Sequence, residues 1–390
     1  MLIIGGGLVG CATAWHLAKV GARVTLVEAG ELNAGASGQN AGSLHFQLER
    51  RFIENGGGLT DQVARTVELN AAAVQEWRGL EAELAADLHV NLNGGLMVAE
   101  TAEEVALLEA KVRWEQAAGL PSRLIDGAQA RALCPALSPS IVAADYLADE
   151  GQADPRTVTP TFAAAARAAG AEIRTRTSLV GITRVGTAQF DATLVNGGTH
   201  SVERTDQIVI AAGGWSGAIA SHLNVQLPLS PVALQMNVTA RAPPLLNHLI
   251  QHAGKRLSMK QATAGNLLLG GGWPALLAQG DGGFDLSRRP TLIQTSVVGN
   301  LRVAVDTVPQ IARLTLIRSW TGMTTNGVDE LPIVGELPRV RGCYVAVGGS
   351  AFTLGPTFAR SLARTMGGVR DPLLEMVSPT RFEQLNGGAG

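Results

Sequence analysis

Apolar runs of strand length alternate with amphipathic segments of helix length along this chain. An apolar run at residues 2–4 leads into a glycine-rich turn, a helix-like segment and a second apolar run at residues 23–27. Residues 1–45 therefore predict a first β–α–β unit. Helical spacing of apolar residues, or residues that start and stop helices, predicts further helices at residues 61–84, 102–119, 157–169 and 356–366.

Two longer apolar runs show no polar alternation, which is typical of strands buried on both faces. They cover residues 207–212 and 344–347, and a pair of glycines follows each run. From about residue 225 to residue 320, short β-like runs alternate with Gly and Pro. Shorter strands are predicted at residues 94–99, 172–177, 179–182 and 192–195, the last ending at an Asn-Gly hairpin turn.

The order of these elements predicts the α/β fold class. A Rossmann-like nucleotide-binding domain would be interrupted by a mostly antiparallel, β-rich substrate domain of the α+β type. The predicted boundaries give a nucleotide-binding domain over residues 1–84, 150–222 and 321–380, and a substrate domain over residues 85–149 and 223–320. Residues 381–390 are predicted to form a flexible tail.

The turn after the first strand carries the spacing Gly5-x-Gly7-x-x-Gly10. In dinucleotide-binding folds the first glycine permits a sharp turn, the second lets the backbone approach a pyrophosphate, and the third lets helix and strand pack closely. The helix N-terminus then offers free N–H groups to the phosphates. Glu28 follows the second strand, where a carboxylate would bind a ribose diol and would repel a 2′-phosphate. The pattern predicts a dinucleotide site.

Composition narrows the classes of partner. The chain has 390 residues, enough for two domains, and a net charge of −2, which gives no electrostatic case for nucleic acid or an anionic membrane. Its charged fraction is 16%, against about 25% in an average soluble protein. This low surface charge favours an oligomer, although a biased amino-acid usage is the alternative explanation.

Cysteine and histidine spacing excludes several kinds of centre. Cys11, Cys134 and Cys343 are far apart, so disulfide-reductase chemistry and iron–sulfur ligation are not expected. The seven histidines show no paired ligand spacing, and no metal site is predicted. Scattered cysteines, no leader and no run of 18 apolar residues lead us to expect a cytoplasmic protein.

Further motifs accompany the glycine turn along nearly the whole chain. They are ASGQNAGS at residues 36–43, LVGI at 179–182, IAAGGWS at 210–216, DELPIVG at 329–335 and GGSAFTLGP at 348–356. With them the chain resembles the FAD-dependent glycine oxidase / D-amino acid oxidase superfamily. Within it, the chain is most similar to the flavin (beta) subunits of sarcosine oxidase, D-hydroxyproline dehydrogenase and opine dehydrogenase complexes.

The resemblance implies FAD as cofactor and a set of residues around it. In the last motif, a glycine-rich loop and a helix start would stabilise negative charge on the N1–C2=O edge of reduced flavin. The implied cofactor-binding residues are Gly5, Gly7, Leu8, Val9, Gly10, Glu28, Ala29, Ser37, Gly38, Asn40, Ala41, Gly42, Ser43, Leu179, Ala211, Ala212, Gly213, Trp215, Gly348, Gly349, Ser350, Phe352, Thr353 and Leu354.

Three departures from the family pattern refine this expectation. No Cys stands near Gly322, where some relatives tether the flavin, so we expect non-covalent FAD. No Arg stands near Thr324, where some relatives bind a substrate carboxylate. Leu268 occupies the place of a Lys that assists reaction with oxygen in sarcosine-oxidase-like enzymes. Without that cation the developing superoxide is less stabilised, which favours a dehydrogenase over an oxidase.

The resemblance implies hydride transfer from the carbon next to an amine nitrogen onto flavin N5. The chain would be the catalytic subunit of a hetero-oligomer, oxidising a D-hydroxyproline-, sarcosine- or opine-like amino or imino acid and passing electrons to a partner subunit. Two alternatives stay open. One is a self-sufficient amine, glycine or D-amino acid oxidase that produces hydrogen peroxide, and the other is a non-catalytic, flavin-bearing electron-relay subunit.

Three residues are candidates for catalytic roles. His45 follows the loop expected near the flavin ring, with a structural hydrogen bond as the alternative role. Lys260 ends a strand-like run and could line the substrate pocket. Arg318 could bind a substrate carboxylate, or could pair with an acid on the sheet.

Overall fold

The computed structural model describes residues 1–54, 61–280 and 283–386. The α-helices of this part are α1 (Leu8–Lys19), α2 (Ala36–Gln39), α3 (Arg50–Glu54), α4 (Asp61–Leu84), α5 (Ala102–Ala117), α6 (Gly127–Leu133), α7 (Pro155–Ala168), α8 (Ser216–Ser221), α9 (Gln294–Thr307) and α10 (Ala351–Met366).

The strands contribute mainly to three sheets. They are β1 (Leu2–Ile4), β2 (Thr25–Val27), β3 (Ser43–Leu44), β4 (Gly95–Ala99), β5 (Arg123–Asp126), β6 (Ala143–Leu147), β7 (Gly151–Gln152), β8 (Glu172–Arg174), β9 (Thr177–Gly186), β10 (Gln189–Asn196), β11 (Thr199–Thr205), β12 (Ile208–Ile210), β13 (Leu229–Arg241), β14 (Leu249–His252), β15 (Ser258–Gln261), β16 (Asn266–Gly270), β17 (Gln279–Gly280), β18 (Gly283–Phe284), β19 (Leu316–Gly327), β20 (Ile333–Glu336) and β21 (Cys343–Val347).

The first sheet has the strand order β20-β21-β12-β1-β2-β8 and is parallel except for β20. Because side chains alternate along a strand, β1 faces two cores. Ile3 packs in a core with Phe358 of α10, whereas Leu2 and Ile4 pack in another core with Phe190 of β10. Burial on both faces explains the apolar runs without alternation, and this α/β architecture confirms the predicted fold class.

A second sheet has the order β19-β13-β16-β15-β14-β4-β6-β5 and is antiparallel except where β14 pairs with β4. Met259 and Leu269 pack on one face in a core shared with Ala304 of α9. Ser258 and Lys260 alternate with Met259, so they point to the opposite face, which we call the inner face. Across the pair β15–β16, Lys260 lies directly opposite Leu268.

Helix α9 was not predicted, since its region was expected to contain short strands. The residues that α9 buries are Ser296, Asn300, Ala304 and Thr307, which recur at helical spacing but are small or polar. A helix whose buried face is polar gives no apolar periodicity, and its Val residues favour the strand interpretation. The β-rich prediction for this region is therefore only partly right.

The C-terminal helix and tail also differ from prediction. Helix α10 begins at Ala351 rather than near Pro356, which lies inside the helix. Residues 379–386 form a 3₁₀ helix in which Phe382 is buried, whereas a flexible tail was predicted from residue 381. Residues 387–390 lie outside the described residues. The predicted domain boundaries stay a prediction, and β19 crosses the one placed at residue 320.

Candidate active site

The glycine-rich turn brings the end of β1, the start of α1 and the end of β12 into close contact. Gly5 has a φ of +115°, and a Cβ atom on it would lie 2.4 Å from the Ala211 carbonyl oxygen. A Cβ on Gly10 would lie 2.0 Å from the Gly5 carbonyl oxygen. Any side chain at either position would displace backbone, so the turn accepts only glycine there.

Two polar side chains lie beside this turn. The Glu28 carboxylate accepts hydrogen bonds from the backbone N–H groups of Gly6 (2.7 Å) and Gly30 (2.8 Å). Ser37 Oγ accepts the backbone N–H of Leu8 at 2.9 Å. The loop that contains Ser37 therefore reaches the N-terminus of α1, where free N–H groups and the helix dipole favour an anion.

The same loop continues to the inner face of the second sheet. Asn40 Oδ1 accepts the Gly42 N–H at 2.6 Å, and Gly42 has a φ of +74°. A Cβ on Gly42 would lie 2.1 Å from the Ala153 carbonyl oxygen and 3.1 Å from Lys260 Nζ. The backbone of the loop thus approaches the Lys260 ammonium group closely.

His45 joins the loop to two other elements. Its backbone N–H donates to Thr353 Oγ1 of α10 at 3.2 Å, and its Nε2 lies 3.2 Å from Ser258 Oγ of β15. Its Nδ1 is buried and has no hydrogen-bond partner among the described residues. Burial lowers the pKa of His45, so the imidazole is neutral at pH 7.

Lys260 is a buried amine. The residue is 5% exposed, and within the described part of the chain no hydrogen bond or ion pair reaches its ammonium group. Burial lowers its pKa to about 7, against the opposing influence of Asp154. Such an amine costs folding energy, which is typical of a residue kept for function.

Replacing Lys260 by Met is expected to stabilise the cofactor-free protein near neutral pH. The unfolded protein, in which the lysine pKa is 10.5, binds more protons than the folded protein between about pH 7 and 10.5, so wild-type stability rises with pH over that window. Lys260→Met should gain up to about 4 kcal/mol at pH 7 and nothing above pH 10.5, by urea unfolding. Lys19→Met, which alters a half-exposed ammonium, is the control. A gain in stability that is the same at every pH would contradict a lowered pKa for Lys260.

The N-terminus of α10 forms the far side of the site. Gly348 has a φ of +145°, and a Cβ on it would lie 2.4 Å from Pro332 Cα. Ser350 has a left-handed conformation, with a φ of 54°, and the first turn of the helix follows at once. Trp77 Nε1 donates to the Thr353 carbonyl at 2.7 Å and fixes that turn against α4.

The two helix N-termini lie side by side. A Cβ on Gly355 of α10 would contact Val9 Cγ2 of α1 at 3.3 Å, so the helices pack closely. Their free N–H groups, the carboxylate of Glu28 and the glycine backbone could form a cradle for an extended dinucleotide with two phosphates.

Other predicted residues lie apart from His45 and Lys260. Arg318 is exposed, and its guanidinium lies over the Trp320 ring at 5.5 Å. Trp320 Nε1 donates to the Gln39 carbonyl at 2.8 Å, so Arg318 lies beside the loop rather than inside the site. Trp215 is 43% exposed, and Leu179 lies partly buried on β9.

A buried polar cluster, which sequence reasoning missed, holds the segment that follows the loop. Lys111 Nζ bonds to the Asp145 carboxylate, to Glu115 Oε1 at 2.7 Å and to Gln47 Oε1 at 2.8 Å.

Glu150 accepts the N–H groups of Phe46 and Gln47 at 3.0 and 2.9 Å. Burial raises the pKa of Glu150 to about 8 and that of Asp145 well above its usual value.

Comparison with known proteins decides the family. Residues 1–365 match the family described as DAO, FAD dependent oxidoreductase. The chain belongs to this family. FAD is therefore its cofactor, and the chain is an FAD-dependent oxidoreductase, as predicted.

Three curated relatives of this DAO-family chain cover most of its length. Glycine oxidase of Geobacillus kaustophilus is 30% identical over 89% of this chain and 86% of its own, and the crystal structure of that enzyme superposes with a TM-score of 0.84, covering 97% of this chain and 98% of its own. Human mitochondrial sarcosine dehydrogenase is 26% identical over 89% of this chain and 37% of its own. Sarcosine oxidase subunit beta of an Arthrobacter species is 24% identical over 94% and 88%.

In the part of the chain that the structure describes, no helix has the length and apolar character needed to cross a membrane.

Proposed function

We propose that this chain is a dehydrogenase that oxidises the C–N bond of a D-hydroxyproline-, sarcosine- or opine-like amino or imino acid. The proposal rests on the convergence of His45, Ser258 and Lys260 where the loop of residues 36–45 meets the inner face. The names of the three relatives, which refer to glycine or sarcosine, support amino-acid chemistry.

The proposed FAD site lies in the cradle formed by the two helix N-termini, Glu28 and the glycine backbone. Gly5, Gly7 and Gly10 would admit the pyrophosphate to the N-terminus of α1, and Glu28 would bind the ribose. The flavin ring would lie between the N-terminus of α10 and the segment ending at His45, held without a covalent bond. Bound FAD supplies the hydride acceptor.

The polar side chains at the inner face have distinct proposed roles. Lys260, whose pKa of about 7 leaves it partly charged, would pair with the substrate carboxylate in this buried site. Neutral His45 would offer its unpartnered Nδ1 to a polar group of the substrate, while Ser258 fixes the ring through Nε2. Exposed Arg318 contributes less, because it stacks on Trp320.

One observation favours an oxidase as a second candidate. The absence of Lys at position 268 favoured a dehydrogenase, but Lys260 lies opposite Leu268 on the neighbouring strand. Lys260 on β15 could thus provide the cation that a lysine at position 268 on β16 would provide for reaction with oxygen. The name of the human relative, sarcosine dehydrogenase, supports the dehydrogenase, and the Arthrobacter relative, by its name one subunit of an enzyme, supports the hetero-oligomer.

Anaerobic flavin bleaching tests the proposal. The purified chain is mixed without oxygen with D-amino, N-alkyl, imino and opine acids, and the loss of absorbance near ~450 nm reports reduction. We expect one class to bleach the flavin and air to restore it slowly. Rapid reoxidation with peroxide would establish the oxidase, and bound FAD that no compound bleaches would favour the relay subunit. Lys260→Met should raise the concentration at which the substrate that reduces the flavin gives half-maximal bleaching.

A further inference from the structure

Three charged side chains meet at the N-terminus of α10. Ser350 Oγ donates to Glu49 Oε1, and Arg51 donates to Ser350 Oγ at 2.8 Å. The other end of the Arg51 guanidinium bonds to Glu330 Oε2 at 3.0 Å. These residues also touch the loop before the helix, since a Cβ on Gly349 would lie 2.9 Å from an Arg51 nitrogen.

Their charges do not balance. Two carboxylates share one guanidinium, which leaves this group with one negative charge. Burial acts to raise the pKa of Glu49, but the charge of Arg51 and the Ser350 hydrogen bond together hold that pKa below its usual value. Glu49 is therefore ionised at neutral pH. His45 provides no compensating charge, because its imidazole is neutral.

We propose that Glu49 sets the redox properties of the flavin, by opposing the negative charge that the flavin acquires on reduction. The inference rests on the proposed position of the flavin ring at the N-terminus of α10. There the helix dipole favours negative charge on the ring, and the Glu49 carboxylate beside the same turn acts against it. The consequence is a lower midpoint potential than the helix alone would give, and a flavin suited to pass electrons onward.

A purely structural role would leave a different signature. An acid at a helix N-terminus stabilises the helix through the dipole, and the Glu49–Ser350 hydrogen bond orders the turn. That role depends on the hydrogen bond, whereas the redox role depends on the charge. Variants that remove one and keep the other therefore separate the two.

Sulfite titration of the FAD-loaded protein measures how readily the flavin accepts negative charge. Sulfite donates its lone pair to form a bond to flavin N5, and the added negative charge spreads over the N1–C2=O edge, so no amine substrate is needed. Glu49→Gln, which keeps the shape and a hydrogen-bond acceptor, should bind sulfite about tenfold more tightly. The same factor in the two-electron reduction equilibrium corresponds to a midpoint potential about 30 mV higher.

Two further variants test the role of the charge. Glu49→Asp keeps the charge and should stay within threefold of wild type. Arg51→Gln removes the cation and should weaken sulfite binding, a shift opposite in sign to that of Glu49→Gln. This variant gives an independent test if Glu49→Gln does not fold.

Equal sulfite affinity in Glu49→Gln and wild type would overturn the inference, as would a Glu49→Asp variant that reproduces the Glu49→Gln effect although it keeps the charge. If Glu49→Gln does not fold, unchanged or tighter sulfite binding in Arg51→Gln, measured at an alkaline pH that keeps Glu49 ionised, would overturn it. Failure of the proposed function would be seen separately, as bound FAD that titrates with sulfite but that no amino or imino acid bleaches.

Discussion

Replacing Lys111 by Met is expected to lower the free energy of unfolding by about 3–5 kcal/mol. Lys111 is fully buried and is the cation that contacts Asp145 and Glu115, with Glu150 nearby in the same cluster. Removing it leaves buried carboxylates without a counter-charge, and these must either stay charged in a dry interior or take up protons. Urea unfolding followed by tryptophan fluorescence measures the loss.

The pH dependence provides a second signature of this variant. Burial already raises the pKa values of Asp145 and Glu150, and loss of the Lys111 charge raises them further. The folded state of the variant then binds protons that the unfolded state does not, so the stability deficit should shrink as the pH falls from about 8 to about 5.5. The control is Lys19→Met, whose partner Glu83 lies 3.0 Å away at the surface. We expect a change within about 1 kcal/mol there. Equal losses in the two variants would contradict the prediction.

Replacing Gly10 by Ala is expected to weaken FAD binding roughly tenfold to a hundredfold. The added methyl carbon would lie 2.0 Å from the Gly5 carbonyl oxygen, so α1 must move away from the turn. Overpacking of this kind costs about 1–3 kcal/mol, and the displaced N–H groups are those proposed to bind the pyrophosphate. The FAD-to-protein ratio after purification, and titration of apoprotein with FAD, measure the effect.

Gly35→Ala is the matched control for this variant. Gly35 precedes α2 in the loop that contains Ser37, has a φ of −85°, and a Cβ on it would contact nothing within 4 Å. FAD affinity should be unchanged. Wild-type affinity in Gly10→Ala would show that the turn does not bind the cofactor.

Local features of the fold could be predicted from the sequence. Gly5, Gly10 and Glu28 lie within one β–α–β unit. The contacts inside such a unit follow from the spacing of its residues along the sequence. The buried strands β12 and β21 were predictable because burial on both faces leaves an unbroken apolar run. The family motifs identified the expected dinucleotide as FAD.

Features that depend on distant contacts could not be predicted. Lys111 and Glu115 have the i,i+4 spacing of an ordinary surface ion pair, and only the packing of α5 buries them. Lys260 faces Leu268 across a short hairpin, but the burial of its amine depends on the loop of residues 36–45, which is distant along the chain. Glu49 reaches Ser350 from the other end of the sequence, and no local pattern signals that contact.

The order of strands in the first sheet has a consequence for synthesis of the protein. Leu2 pairs with Ile208, which pairs in turn with Cys343, so one neighbouring strand of β1 and one of β12 emerge long after they do. At about 5–20 residues per second the ribosome needs roughly 10–40 s to deliver the first of these partners. Such high contact order leaves apolar strand edges exposed on the nascent chain, and holding chaperones should raise the yield of soluble protein.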